Sequence, residues 1–320
     1  MKLLILGDMH WRYNAPVNRI DDFFSTQLKK TREALDIGAK EGCQYALQPG
    51  DLWDNPHPAK FVMSTYISLL RDYDMKLMCV VGQHDMTMRN FAYVDRTATH
   101  LLSKAGVVQV VGLDKSPVML GSDKDGEVWL HGLSYEQDHE PKAKLSALNI
   151  LLAHVSVGDK PLYPDHDLTK PQAFAAKHND MDLIVVGDYH YTFVVEVGEQ
   201  LVVNAGCLVR KTTAERDLIH EPCVFTYNTE TGEYGRHVLK STKPWEEVFV
   251  IPNRDSGKTD RLLEFVEMLR EDRRLSVSFA ENLRLHFKKN KTRKRVREIV
   301  AEVMDRVGMP VEELRDGGKK

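Results

Sequence analysis

The chain has 320 residues, of which 42% are hydrophobic and 28% are charged, and its formal net charge is −3. This composition is ordinary for a globular protein and excludes a disordered or collagen-like chain. At roughly 150 residues per domain, the length predicts about two domains. The near-neutral charge excludes a protein that is basic throughout, as a nucleic-acid coat would be, but allows a local basic patch.

The chain contains four cysteines, Cys43, Cys79, Cys207 and Cys223, and no two of them form a C-x-x-C pair. This spacing excludes a zinc ribbon or a thioredoxin-type motif, and so few cysteines do not indicate a disulfide scaffold. The first residues contain an apolar run that is too short for a signal peptide. No stretch approaches the roughly 20 apolar residues of a membrane span. We therefore expect a cytoplasmic protein with no membrane association.

Short apolar runs indicate where buried strands lie. There are five of them: Leu3–Leu6, Tyr45–Leu47, Leu77–Val81, Ile150–Leu152 and Leu183–Val186. Runs of this length, rich in Val, Ile and Leu, are typical of inner strands in an α/β sheet. Residues 20–41 and 59–72 have helical periodicity, and Pro58 stands where a helix can begin. The alternation of strands and helices predicts a layered α/β domain.

The rest of the chain contains two β-like stretches and a different C-terminal region. Residues 107–135 predict a hairpin, and residues 193–239 predict further strands. After residue 243, residues that interrupt helices and strands are followed by apolar residues at helical spacing. This pattern predicts a small, mostly helical C-terminal domain. We therefore divide the chain into domains 1–242 and 243–320.

Each predicted strand runs into side chains that can bind a metal. The side chains in question are Asp8 and His10; Asp51 and Asp54; Gln83, His84 and Asp85; His154; and Asp188 and His190. Sites in open α/β sheets form at the carboxyl ends of strands, so parallel strands would bring all five groups to one edge. A single group of this kind could be a solvated turn or a packed core residue. Five groups at successive strand ends instead indicate a metal centre, and mixed carboxylate and imidazole ligands favour Mn²⁺, Fe²⁺ or Zn²⁺ over Ca²⁺.

In this order, the motifs resemble those of the calcineurin-like metallophosphoesterases, over roughly residues 1–240. That family has Asp-x-His, Gly-Asp-x-x-Asp, Gly-Asn-His-Asp, a lone His and Gly-His-x-His. The resemblance implies a layered metallophosphoesterase β-sandwich flanked by helices, and it implies two divalent metal ions. It assigns Asp8, His10 and His190 to one metal, Asp51 to both, and Gln83, His154 and Asp188 to the second.

The resemblance also implies two catalytic residues that do not bind a metal. His84 would face the leaving group as a proton donor, and Asp54 would orient its imidazole. Gln83 and Asp188 depart from the family pattern, which has Asn and His at these positions. Both keep a ligand oxygen, so we expect a working second site with Mn²⁺, or alternatively Mg²⁺. A weak or vacant second site remains the alternative.

Two segments narrow the resemblance to the double-strand-break repair nucleases, which include SbcD-like exonucleases and phage recombination endonuclease subunits. Residues 50–54 read Gly-Asp-Leu-Trp-Asp where that group has Gly-Asp-Leu-Phe-Asp. Residues 203–210 resemble its Asn-Pro-Gly-Ser-Leu-x-Arg segment. The likeness implies 3′→5′ exonuclease and single-strand endonuclease action on DNA, in repair, recombination or replication. It further implies an SbcC-like coiled-coil ATPase partner, a homodimer, and a bacterial or phage-infected host cytoplasm.

The sequence offers fewer signals for substrate and partner contacts. Arg12, Arg89 and Arg210 are candidate substrate-binding residues, and residues 284–297 contain eight basic residues in 14. An apolar stripe in residues 293–307 predicts a helix that docks on the ATPase or packs on the catalytic domain.

Two alternatives to the nuclease remain open. One is a small-molecule phosphodiesterase or phosphatase of the same fold, for which the basic tail would have no evident purpose. The other is a non-catalytic scaffold subunit, for which the departures at Gln83 and Asp188 are the support. A dimer interface would use the helices of residues 59–72 and 89–106.

Overall fold

The structure is a computed structural model that describes residues 1–137, 139–162, 166–251, 294–295 and 297–298. Within these residues, the secondary structure comprises twelve strands and five α-helices. In chain order they are β1 (Lys2–Ile5), α1 (Phe23–Glu41), β2 (Tyr45–Gln48), α2 (Lys60–Arg71), β3 (Lys76–Cys79), α3 (Ala98–Lys104), β4 (Gln109–Val110), β5 (Val118–Asp123), β6 (Gly126–Leu133), β7 (Ala147–His154), α4 (Pro171–Lys177), β8 (Leu183–Gly187), β9 (Phe193–Val197), β10 (Gln200–Asn204), α5 (Glu215–Ile219), β11 (Cys223–Asn228) and β12 (Tyr234–Val238). The predicted α/β class is confirmed, and all five predicted ligand-bearing strands are present.

The strands form two six-stranded sheets. The first has the order β12-β11-β1-β2-β3-β4, and the second has the order β5-β6-β7-β8-β10-β9. Strands β1 to β4 pair in parallel, as do β6, β7, β8 and β10, whereas β5, β9, β11 and β12 add antiparallel edges. Mixed sheets of this kind are common in α/β proteins.

The core lies between the two sheets and also beneath the helices. Leu3 and Ile5 of β1 belong to the same buried cluster as Ile150 and Leu152 of β7, so these side chains fill the space between the sheets. Leu4 belongs to a separate cluster with residues of α1 and α2. Because both faces of β1 are covered from Leu3 onwards, the strand is apolar from Leu3 to Ile5 instead of alternating.

The α1 helix has defined ends. Asp22 precedes it, and its carboxylate accepts a hydrogen bond from the backbone N–H of Ser25 at 3.1 Å. Gly42 ends it with a φ of 75°, a left-handed conformation that glycine adopts without steric cost. The helix therefore begins three residues later than the predicted stretch 20–41 and ends where that stretch does.

One expectation about the sheet is wrong. We predicted that the five ligand-bearing strands would lie in parallel at one sheet edge. Instead, β1, β2 and β3 belong to the first sheet, while β7 and β8 belong to the second. Their carboxyl ends meet because the sheets stack face to face, so the ligands converge from two sheets.

The first compact unit extends over Met1–Ile251. The backbone N–H of Ile20 donates to the carbonyl of Val248 at 2.9 Å, and the backbone N–H of Val250 donates to the carbonyl of Asn18 at 2.9 Å. The guanidinium of Arg19 lies over the ring of Phe249 at 5.4 Å. The unit thus includes residues beyond position 242, where we placed the end of the domain.

The second unit is Pro252–Lys320. Its described residues are helical, and Lys294 Nζ lies 3.8 Å from Glu298 Oε1. The rest of the predicted basic run and of the predicted helix 293–307 lies outside the described residues. In the part of the chain that the structure describes, no helix is both long and apolar enough to cross a membrane.

Candidate metal centre

The side chains assigned to the first metal lie together at the carboxyl ends of β1 and β8. His10 Nε2 and His190 Nε2 are 3.1 Å apart, and His190 Nε2 is 3.5 Å from Asp8 Oδ2. His10 Nε2 is 3.7 Å from Asp51 Oδ2. Four potential ligands from three segments of sequence therefore surround one small volume.

The side chains assigned to the second metal form an adjacent group. His154 Nε2 lies 2.6 Å from Gln83 Oε1, and Gln83 Nε2 donates a hydrogen bond to Asp188 Oδ1 at 2.6 Å. His154 Nε2 also lies 3.5 Å from Asp51 Oδ2. The structure thus brings together all seven side chains that the sequence analysis named as metal ligands.

The Asp51 carboxylate lies between the two groups of side chains. Its Oδ1 accepts a hydrogen bond from the backbone N–H of His84 at 2.9 Å, which fixes the carboxylate. Its Oδ2 is fully buried, has no hydrogen-bond partner, and lies between His10 and His154. One oxygen therefore holds the side chain, and the other is directed at both ligand groups.

The backbone at three of these positions is strained. His10, Asp51 and Asp188 have φ values of 46°, 53° and 76°, in the left-handed region that non-glycine residues rarely adopt. Such strain persists only where the surroundings enforce it, and it concentrates at functional sites. The chain also needs Gly50 beside Asp51, because a Cβ there would lie 2.4 Å from His154 Nδ1.

The donor set fits divalent cations. Asp8 Oδ1 and Asp51 Oδ2 are buried carboxylate oxygens without a hydrogen-bond partner, which is costly unless a cation neutralises them. Burial raises the pKa of Asp8 well above its ordinary value; the positive charge of His154 opposes this rise, and the negative charge of Asp51 adds to it. Carboxylate, imidazole and amide oxygen together suit Mn²⁺ and similar metals.

Both ring nitrogens of His154 face oxygen atoms that can only accept. Its Nδ1 faces the carbonyl of Pro49 at 2.6 Å, and its Nε2 faces Gln83 Oε1. Because both oxygens only accept, both ring nitrogens donate and the imidazole is charged. Burial lowers the pKa of His154, but the charge and hydrogen bond of Asp51, together with the charges of Asp8 and Asp188, outweigh burial and raise it to about 10.

The structure gives Asp54 a different contact from the one we expected. His84 Nδ1 donates to the backbone carbonyl of Asp54 at 3.1 Å, so the carbonyl, not the carboxylate, orients that imidazole. The carboxylate lies 3.6 Å from His10 Nδ1, 2.8 Å from Arg12 Nη1 and 4.0 Å from Lys211 Nζ. This arrangement leaves His10 Nε2 directed at the metal ligands.

Comparison with known proteins identifies the family. Residues 1–192 match the calcineurin-like phosphoesterases. The chain belongs to the calcineurin-like phosphoesterases. Members of this family use divalent metals, in agreement with the donor set described above, and the chain is therefore a metal-dependent phosphoesterase.

Two curated proteins that resemble this phosphoesterase in sequence are named as double-strand break repair proteins. The DNA double-strand break repair protein Mre11 of Halobacterium salinarum is 26% identical over 286 residues, which cover 84% of this chain and 67% of the relative. The double-strand break repair protein MRE11 of Encephalitozoon cuniculi is 25% identical over 292 residues, which cover 76% and 48%. The chain thus spans two thirds of the first relative and about half of the second.

Solved structures resemble this phosphoesterase at low identity. A novel archaeal phosphodiesterase has a TM-score of 0.38 and 16% identity, covering 75% of this chain and all of that chain. A dimetal phosphatase from Danio rerio has a TM-score of 0.47 and 11% identity, covering 75% of this chain and 99% of that chain.

The three arginines predicted as substrate contacts have different surroundings. Arg12 pairs with Asp54 at the edge of the metal centre. Arg210 donates from its guanidinium to the carbonyls of His220 and Lys243, both at 2.8 Å, so it ties loops together. Arg89 has a φ of 55°, and its Nη1 is buried without a hydrogen-bond partner. Of the three, Arg12 is the one with a contact to the predicted catalytic residues.

Asp85 organises the phosphoesterase site, although the family resemblance assigned it no role. Its fully buried carboxylate accepts hydrogen bonds from the backbone N–H groups of Leu52, Trp53 and Gly82, at 3.3, 2.9 and 2.9 Å. The hydroxyl of Thr99 donates to it at 3.2 Å. Asp85 therefore joins the loop that carries Asp51 to the loop that carries Gln83, and its place in the Gly-x-His-Asp motif was the available signal.

Lys211 and Cys207 also lie at the site, and sequence reasoning missed both. Lys211 is a buried cation beside Asp54. Cys207 Sγ lies with ring nitrogens of His10 and His190, all within 4.8 Å of one another. Both residues lie in the segment after β10, where no metal-binding motif marked them.

Proposed function

We propose that the chain is the DNA-cleaving subunit of a double-strand-break repair nuclease, which hydrolyses DNA phosphodiesters at a centre of two Mn²⁺ ions. The observation that carries the proposal is the buried, unpaired Oδ2 of Asp51, which lies 3.7 Å from His10 Nε2 and 3.5 Å from His154 Nε2. The names of the two curated relatives support DNA as the substrate.

The side chains at this centre have different proposed roles. Asp8, His10 and His190 would hold one metal, Gln83, His154 and Asp188 would hold the other, and Asp51 would be shared. Divalent metals held there would supply neutralisation of the phosphate charge and activation of water. Asp54 lies beside the outer nitrogen of His10, and Arg12 fixes the Asp54 carboxylate by an ion pair of 2.8 Å.

His84 supplies the proton to the leaving sugar oxygen. Its Nδ1–H is held by the carbonyl of Asp54, so its Nε2 carries the transferable proton when the ring is charged. Its ring meets that of His10 edge to face, with centroids 4.9 Å apart.

The proposed nuclease works with partners. We propose an SbcC-like coiled-coil ATPase, which the C-terminal region binds, and a second copy of this chain. Exposed apolar side chains at Phe61 of α2 and Leu101 of α3 support a dimer contact through these helices. The four cysteines are buried and unpaired by disulfides, which supports a reducing cytoplasm as the location.

A cleavage assay tests the proposed function. Purified chain is incubated with duplex and single-stranded DNA, labelled at the 3′ or the 5′ end, with Mn²⁺ or with Mg²⁺. We expect Mn²⁺-dependent loss of nucleotides from 3′ ends of the duplex and internal cleavage of the single strand. Cleavage of a cyclic nucleotide without cleavage of DNA would establish the small-molecule phosphodiesterase instead. No hydrolysis together with one bound metal or none would establish the scaffold subunit.

A further inference from the structure

Cys207 lies between two segments that carry predicted metal ligands. Its backbone N–H donates a hydrogen bond to the carbonyl of His190 at 2.9 Å. Cys207 also forms an isolated parallel β-bridge with Asp8. Its carbonyl accepts a hydrogen bond from His220 Nε2 at 2.7 Å. The position of the thiol is therefore fixed by the same backbone that fixes the first metal group.

The thiol itself is within reach of that group. Cys207 is 2% exposed and forms no disulfide. Its Sγ and one ring nitrogen each of His10 and His190 lie within 4.8 Å of one another. Sulfur and nitrogen atoms on one tetrahedral zinc ion lie roughly 3.6 Å apart, because Zn–S is about 2.3 Å and Zn–N about 2.1 Å. A small side-chain movement is enough to bring the three atoms onto one ion.

A second observation points to a cation at this place. Asp51 Oδ2 is completely buried, has no hydrogen-bond partner and lies 3.7 Å from His10 Nε2. Carboxylate oxygen, imidazole nitrogen and thiolate sulfur are all donors that zinc binds in proteins. The repair-nuclease segment that residues 203–210 resemble has Ser at this position, so the thiol is a feature of this chain.

We propose that Cys207, with His10, His190 and a neighbouring carboxylate, forms a nitrogen–sulfur site that takes Zn²⁺ in preference to Mn²⁺. On binding, the thiol releases its proton to solvent and a Zn–S bond forms, since the thiolate is the metal ligand. Soft thiolate ligands select Zn²⁺ over the harder Mn²⁺.

The test uses the full chain loaded with Co²⁺, which reports a thiolate ligand through a charge-transfer band in the near ultraviolet. Cys207→Ser is compared with Cys223→Ser, a change at another buried cysteine whose thiol lies 3.8 Å from the carbonyl of Ala205. We expect the band in the natural chain and in Cys223→Ser, and its loss in Cys207→Ser. Competition with a chromophoric chelator should show Zn²⁺ affinity lowered by at least about tenfold in Cys207→Ser alone.

Absence of the band in the natural chain, or its persistence in Cys207→Ser, would overturn the proposal. X-ray absorption of the Zn²⁺-loaded natural chain gives an answer that needs no variant. A sulfur at about 2.3 Å from zinc supports the proposal, and a shell of nitrogen and oxygen alone refutes it. The proposal rests on the first metal site of the proposed nuclease, but these spectra do not depend on DNA cleavage. Their failure is therefore distinguishable from failure of the proposed function.

Discussion

Gln83 donates a hydrogen bond from its side-chain amide to Asp188 Oδ1 at 2.6 Å. These are the two positions at which the chain departs from the family's ligand pattern, and the structure places them in contact. The extra methylene of Gln83 spans the gap to Asp188, while its amide oxygen faces His154. The two departures are therefore coupled, as replacements adapted to each other would be.

The coupling predicts non-additive effects on the second metal. Gln83→Asn alone shortens the amide and breaks its contact with Asp188, and Asp188→His alone removes the acceptor. The double change restores the family pair and should bind Mn²⁺ more tightly than the two single changes together predict, by about 1 kcal/mol or more. Mn²⁺ titrations followed by electron paramagnetic resonance would measure this. Additive single effects, within about 0.5 kcal/mol, would show that the residues act independently.

His84→Ala should lower the rate of DNA cleavage by about 10²–10⁴-fold, the usual contribution of a general acid. Both metals and DNA affinity should be retained, because His84 is not among the proposed ligands. His57→Ala, at an exposed histidine outside the motifs, is the matched control and should leave the rate unchanged. Loss of one metal from the His84→Ala protein, detected by elemental analysis, would instead make His84 a ligand.

Asp85→Ala should lower the free energy of unfolding by at least about 3 kcal/mol. The substitution leaves the buried N–H groups of Leu52, Trp53 and Gly82 without their acceptor. Asp72→Ala removes an exposed carboxylate that pairs with Arg32 at the surface, and it should cost about 1 kcal/mol or less. Urea unfolding of both variants measures the difference, and equal losses would contradict the organising role of Asp85.

The stability of the catalytic unit should depend on His220 below neutral pH. Burial lowers the pKa of His220 to about 4, whereas the unfolded chain has a value near 6.5. Between these values the unfolded chain binds more protons, so stability is complete above pH 6.5 and is lost as the pH falls towards 4.

The measurement compares the natural chain with His220→Gln, which can still donate to the carbonyl of Cys207. Urea unfolding with a chelator present should show that the natural chain loses roughly 3 kcal/mol more than the variant between pH 6.5 and 4. Comparing the two proteins cancels the titration of the other histidines. Parallel stability curves would show that His220 is not buried in its neutral form.

The sequence predicted the ligand-bearing strands because each is buried on both faces. Leu3 and Ile5 face the opposite sheet and Leu4 faces the helices, which produces a continuous apolar run. The same property hides which sheet a strand belongs to, since a run that is apolar throughout carries no facing pattern. The division of the five strands between two sheets could therefore not be predicted.

Contacts made by the backbone and by distant side chains were also beyond sequence reasoning. The carbonyl of Asp54 holds His84, and any residue could supply that carbonyl. Lys211 reaches Asp54 across 157 positions of sequence, with no motif around it to mark it. The proposed ligands could be predicted because a metal requires particular side chains, which leave a recognisable pattern in the sequence.

Cleavage of labelled DNA by the natural chain and by Asp51→Asn, with Mn²⁺ present, tests the two-metal account most directly. The asparagine keeps an oxygen for the backbone N–H of His84 but removes the charge that lies between His10 and His154. We expect the natural chain to cleave, and the variant to fold normally, bind fewer Mn²⁺ ions and show no cleavage. Cleavage by Asp51→Asn at the natural rate would contradict the account.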